Sequence, residues 1–96
     1  MTEKQIEKRL CLKVKEMGGM AVKLNSLSMQ GLPDRLVLLP GGKVVFIELK
    51  SPGKKMRPVQ VKRKRQLEGL GFLVYCIDHV EQIEKVLKRD VMQSEI

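Results

Sequence analysis

Between residues 3 and 17, apolar side chains fall at Ile6, Leu10, Val14 and Met17 with Lys and Arg between them, the recurrence of a helix with one buried stripe. Gly18-Gly19 ends that pattern, glycine being the residue that accepts a positive φ at low cost. Met20 to Leu24 then reads as a strand and Asn25 to Gly31 as a polar loop. Two β-rich runs follow, Asp34 to Leu39 and Lys43 to Lys50, joined by the hairpin signal Pro40-Gly41-Gly42. Ser51-Pro52-Gly53 breaks the second run, and Pro58 suits the first turn of a helix reaching about Leu70, with Gly71 beyond its end. Phe72 to Ile77 is a continuous apolar strand. Asp78-x-x-Glu81 has the spacing of a capping box ahead of a last helix carrying Val80, Ile83 and Leu87. The predicted order is αβββαβα. Leu36-Val37-Leu38-Leu39 is apolar at both parities, which predicts helices over both faces of the sheet.

Two acids break this pattern. Asp34 stands at the mouth of the first hairpin strand and Glu48 inside the second. A hairpin symmetric about Gly41 places them opposite one another, each seven residues from the turn, and Lys50 shares their face because side chains two apart on a strand point the same way. A bulge in the loop would shift that register by one. Opposed carboxylates repel, by about 0.2–1 kcal/mol when exposed and by more when desolvated. A divalent cation reverses the penalty, and Mg²⁺ needs only a few carboxylate or carbonyl oxygens because it keeps several waters. Such an ion lowers the pKa of bound water and neutralises charge on a phosphate, with Lys50 placed to hold the water or a phosphate oxygen.

Composition narrows the partner. The chain of 96 residues is long enough for one domain, residues 1–96, with 91–96 read as a candidate flexible tail whose last residues, from Met92, fit either a frayed end or part of a dimer contact. It has no run of 18 apolar residues and no apolar leader after Met1, which argues for a cytoplasmic protein without a membrane span. Cys11 and Cys76 lie far apart and His79 is the single histidine, so zinc is not expected and both thiols read as reduced core fillers. The net charge of +8 is unevenly placed: Lys50 to Arg65 holds eight basic residues and no acid, whereas residues 66–96 hold six acids and three bases. That footprint predicts a polyanion, and with one Tyr, two Phe and no Trp it predicts contacts to a duplex backbone rather than an aromatic platform for single strands. Lys54, Lys55 and Arg57, in the loop after the second hairpin strand, are best placed for it, with Lys23, Arg35, Lys62 and Arg63 as further candidates. The run Lys62-Arg63-Lys64-Arg65 spreads around the helix, so part of it must face water.

Pro33-Asp34 followed fourteen residues later by Glu48-x-Lys50, across a hairpin, resembles the PD-(D/E)xK nuclease signature. Gly-Leu-Pro-Asp-Arg-Leu, Phe-Ile-Glu-Leu-Lys and a Gln60 helix ending in Gly-Leu-Gly-Phe resemble the stand-alone VRR-NUC branch of phages and bacteria. The resemblance covers the whole chain. It implies an α/β fold with a restriction-endonuclease-like core, a mixed central sheet flanked by helices. It also implies a Mg²⁺- or Mn²⁺-dependent endodeoxyribonuclease: Asp34, Glu48 and the backbone carbonyl of Leu49 as ligands, Lys50 polarising the nucleophile, and Gln60 positioning water or phosphate. The family often adds a first-helix glutamate, for which Glu7 is the better match and Glu3 the fallback. Ser26 or Ser28 would match the serine of some junction resolvases. The implied activity is incision of branched DNA, four-way junctions in particular, by a homodimer, since symmetric cutting of two strands needs two sites about a two-fold axis. The competing expectations are a non-catalytic double-stranded nucleic-acid-binding module and a nuclease subunit of a larger replication, repair or restriction assembly.

Overall fold

The computed structural model describes residues 1–25 and 29–95. Its first helix, α1 (Glu3–Glu16), is opened by a capping box in which Thr2 accepts from the Gln5 N–H and the Gln5 amide accepts from the Thr2 N–H. The predicted stripe is realised: Ile6, Leu10 and Val14 are buried without exposure and Met17 packs beside them. Strands β1 (Met20–Lys23), β2 (Arg35–Leu39), β3 (Lys43–Leu49) and β4 (Leu73–Ile77) form one mixed sheet in the order β1-β2-β3-β4. The first two pairings are antiparallel, and β3–β4 is parallel through the helix α2 (Pro58–Gly69). After β4 comes α3 (Glu81–Glu84), which continues over Lys85–Val91 with the wider i→i+5 winding of a π-helix.

The hairpin is symmetric about Gly41. Leu39 pairs with Lys43 and Arg35 with Ile47, so the same register sets Asp34 opposite Glu48 without a bulge. Gly41 and Gly42 make the turn at φ +81° and +74°, angles an L side chain resists.

The two sheet faces are covered differently. Alternate residues Val37, Leu39, Val45, Ile47, Leu49 and Ile77 point toward α1 and α3, where Ile83, Val86, Leu87 and Val91 complete one apolar core. The opposite parity faces α2, which buries a single residue, Gln60, and covers only the end of the sheet near Glu48. Met20 and Val22 on that face stay exposed at 63% and 37%, so the expectation of helices over both faces holds for one of them and only in part for the other.

One local expectation is corrected. The capping box of Asp78 and Glu81 is absent, because Gln82 takes the N–H groups of Asp78 and His79 while the Asp78 carboxylate turns to the His79 ring and the Gly53 N–H. At the start of the expected tail, Val91 has no exposure and Met92 packs on the core. Ser94 meets Lys43 through its carbonyl.

Candidate active site

Asp34 enters from the loop before β2. Gly31 lets that loop approach α2 closely: its φ is +83°, and a Cβ there would lie 2.6 Å from the Val59 carbonyl oxygen. The Asp34 Oδ2 accepts from the Leu49 N–H at 2.8 Å, a contact that extends the β2–β3 ladder with a side chain in place of a backbone carbonyl. In an antiparallel ladder the N–H and C=O of one residue point the same way, so the Leu49 carbonyl lies on this same edge of β3.

Glu48 is 2% exposed. Its Oε2 accepts from the Gln60 amide at 2.8 Å and lies 3.3 Å from the Lys50 Nζ. Its Oε1 is buried and has no hydrogen-bond partner, which sets it apart among the described buried side-chain atoms. Burial first, and then the nearby charge of Asp34, push the Glu48 carboxyl up to about 7, against the lowering pull of Lys50 and Gln60. Cys76 pairs with Glu48 across the parallel ladder, and burial followed by the Glu48 charge raises its thiol, which keeps it protonated. The period-two pattern of β4 was the signal that could have placed that thiol beside the acids.

Gln60 is held at both ends of its amide. It donates to Glu48 and its Oε1 accepts the Arg57 N–H at 2.8 Å, so it braces the carboxylate at the start of α2 rather than reaching for solvent.

Other expected residues are placed elsewhere. The Glu7 Oε2 accepts from the Arg35 Nε at 2.9 Å, and a second Arg35 N–H is donated to the Ala21 carbonyl. Arg35 is thus engaged within the protein. Among the described residues no group of three or more His, Cys, Asp or Glu side chains gathers as a metal cage, and the Glu7 carboxylate is held by Arg35. Glu3 lies exposed in the first turn of α1. Arg63 is likewise engaged, with the Gln30 carbonyl and Gln66. Lys23, Lys54, Lys55, Arg57 and Lys62 are exposed. Ser26 and Ser28 lie outside the described residues.

The site therefore holds two hard oxygen donors, one with an unsatisfied buried oxygen, beside a strand carbonyl and a lysine. An orphaned buried carboxylate oxygen costs several kcal/mol unless something cationic meets it. The donor set suits Mg²⁺ or Mn²⁺, and it contains no soft ligand.

A mixed sheet carrying Asp, Glu and Lys at one end of its central hairpin defines the PD-(D/E)xK class of nuclease folds. No family model matches the chain. It is 45% identical over 76 residues to the protein named Putative nuclease p44 of Acyrthosiphon pisum secondary endosymbiont phage 1, a match spanning 79% of this chain and 82% of that one. It also superposes on a solved VRR_NUC domain with a TM-score of 0.84 and 26% identity, covering 93% of this chain and 98% of the other. The chain belongs to the VRR-NUC family of the PD-(D/E)xK nucleases.

Proposed function

We propose that this protein is a Mg²⁺- or Mn²⁺-dependent endonuclease that hydrolyses phosphodiester bonds of branched DNA, four-way junctions first, acting as a homodimer in the cytoplasm of a bacterial or phage-infected cell. The observation that carries the reading is the buried, unpartnered Glu48 Oε1 directly across the ladder from Asp34. Asp34, Glu48 and the Leu49 carbonyl would hold the metal. When bound, the ion supplies a water of lowered pKa and neutralises charge growing on the phosphate.

The remaining steps belong to side chains. Gln60 and Lys50 both engage the Glu48 Oε2, which leaves Oε1 as the free donor and fixes the carboxylate rotamer. The Leu49 N–H does the same for Asp34 by occupying its Oδ2. Lys50, half-buried 3.3 Å from Glu48, would orient the attacking water or hold a non-bridging phosphate oxygen. Lys54, Lys55 and Arg57 follow the site strand directly and are exposed, so they would grip backbone phosphates flanking the scissile bond.

The support for a dimer is the uncovered sheet face. Met20 and Val22 are exposed there, and the half-buried Leu36, Leu38, Val44 and Phe46 lie on the same parity without a charged residue among them. Incision of labelled four-way junction and linear duplex DNA with Mn²⁺, with EDTA, and by Glu48→Ala tests the reading. Metal-dependent cutting of the junction that the variant lacks is expected. Equal cutting by the variant would overturn it.

A further inference from the structure

The basic run on α2 is divided by the fold. Arg63 is engaged with Gln30 and Gln66, and Lys64 pairs with Glu68 at 3.1 Å. Lys62 and Arg65 are exposed, stand three apart and so share one side of the helix, and among the described residues neither forms an ion pair. Both line a single cavity of about 510 Å³ whose other walls are Met56, Pro58, Val61 and Gln66. It is a shallow groove open to solvent, with Pro58, Lys62, Arg65 and Gln66 exposed and Met56 and Val61 half-buried. The groove starts at the loop that leaves the site strand, and its helix residues Pro58, Val61, Lys62 and Arg65 lie on the side of α2 away from the buried Gln60.

An apolar floor with two unpaired cations at its rim is more than a duplex backbone requires. Phosphates and sugars of a continuous duplex ask for charge and hydrogen bonds, and its bases are already stacked. A base out of its stack needs an apolar surface, and an arginine plane can cover one face of it. Phe46 and Phe72, the two phenylalanines of the chain, lie edge to face on one another at 5.7 Å and do not line this groove.

We propose that this cavity receives one unpaired nucleotide of the DNA strand passing the site, its base against Met56, Pro58 and Val61 under the Arg65 guanidinium and its phosphate on Lys62. The proposal rests on the reading above that the substrate is DNA, and it assigns the preference for branched DNA to this pocket. Nucleotides at a branch or flap are available to enter it, whereas those of an intact duplex must first be unstacked at a cost of a few kcal/mol.

The test is binding by the full chain in EDTA, measured by fluorescence anisotropy on a four-way junction, a flap and a linear duplex. The proteins are the parent, Arg65→Ala and Val61→Asn. A 2-aminopurine at the branch reports unstacking directly. Arg65→Ala should weaken branched DNA about five- to hundred-fold and linear duplex by about three-fold or less, as loss of one base-stacking contact implies. Val61→Asn, which keeps the charge, should lower branched affinity selectively and dim the 2-aminopurine. Equal losses on branched and linear DNA, or an unchanged 2-aminopurine signal, would overturn the proposal. A parent that binds branched DNA selectively yet never cuts it would sink the enzymatic reading alone, and a parent that binds neither substrate would sink both.

Discussion

Toward α1 and α3 the sheet presents Val37, Val45, Ile47 and Ile77, none with any exposure, closed over by Ile6, Leu10, Val14 and Leu87. Toward α2 it presents a buried glutamate with an unbonded oxygen, met by Gln60 of that helix, and two exposed apolar side chains at the edge strand. The first face follows the rule that buried groups are apolar or paired, and the second breaks it at Glu48. Residues adjacent in one strand, Ile47 and Glu48, therefore serve different ends: one holds the fold together, the other keeps a chemical group poised at a cost in stability.

The sharpest break between the two faces is expected from Asp34→Asn. It removes a proposed metal-ligand charge without disturbing the dry core, so junction incision in Mn²⁺ should fall about a thousand-fold or more, the several kcal/mol a lost Lewis-acid contact represents. Circular dichroism and the melting temperature should stay at or above parental values. A variant that melts early and keeps cutting would reverse the assignment.

On the other face the expectation is opposite. Ile47→Ala leaves a cavity in the core and should cost about 2–5 kcal/mol in a denaturant titration. The residual folded fraction should retain Mn²⁺ binding by calorimetry, and loss of binding in protein that is still folded would show that the faces are not separable in this way.

Glu48→Gln sharpens the contrast through pH. The folded-state pKa of Glu48, about 7, lies above its ordinary value of 4.5. The native state thus holds this proton more tightly than the unfolded chain. The stabilisation is fully present below about pH 4.5 and is lost as the pH rises through about 7, an effect on the order of 3 kcal/mol for metal-free protein. The variant has no such proton to lose, so at pH 8 it should unfold at higher urea than its parent while being inactive. Identical pH slopes in parent and variant between pH 5 and 8 would remove Glu48 as their source.

What the sequence made legible follows from its two periodicities. Ile6, Leu10 and Val14 marked α1, and the hairpin turn at Pro40-Gly41-Gly42 set Asp34 opposite Glu48, each seven residues from Gly41, because turn geometry fixes the register. What stayed hidden depends on contacts distant in sequence or on competition among local partners. Arg35 and Glu7 are 28 residues apart, and nothing local to either foretells the pair. The resemblance put Gln60 near the site, but its bond to Glu48, twelve residues back along the chain, depends on the fold. Asp78 and Glu81 had capping-box spacing, but Gln82 offered a carbonyl to the same N–H groups, and Asp78 had His79 and Gly53 as alternatives. The division of Lys62 to Arg65 was anticipated only as far as helical geometry forces it. Which two remain free depends on where Gln30 and Glu68 fall.

The smallest expected effect belongs to Glu7, which joins the two faces. Arg35 is the residue after Asp34 but has the opposite parity, so its guanidinium turns toward α1, where it bonds Glu7 at 2.9 Å and the Ala21 carbonyl. The pair is only partly shielded, its side chains 17% and 22% exposed, so its worth is about 1 kcal/mol or less. Glu7→Gln retains an acceptor for Arg35 and should lower stability by that much at most, with incision changed by less than about three-fold on the same scale. If Glu7 instead completes the metal site, the same variant should lose incision about as severely as Asp34→Asn and bind Mn²⁺ more weakly at unchanged stability. A titration of incision against Mn²⁺ concentration separates the cases: a helix anchor leaves the midpoint where it was, and a ligand moves it upward. An unmoved midpoint would restrict the charged ligands to the two acids of the hairpin and leave α1 the task of holding the strand that carries Asp34.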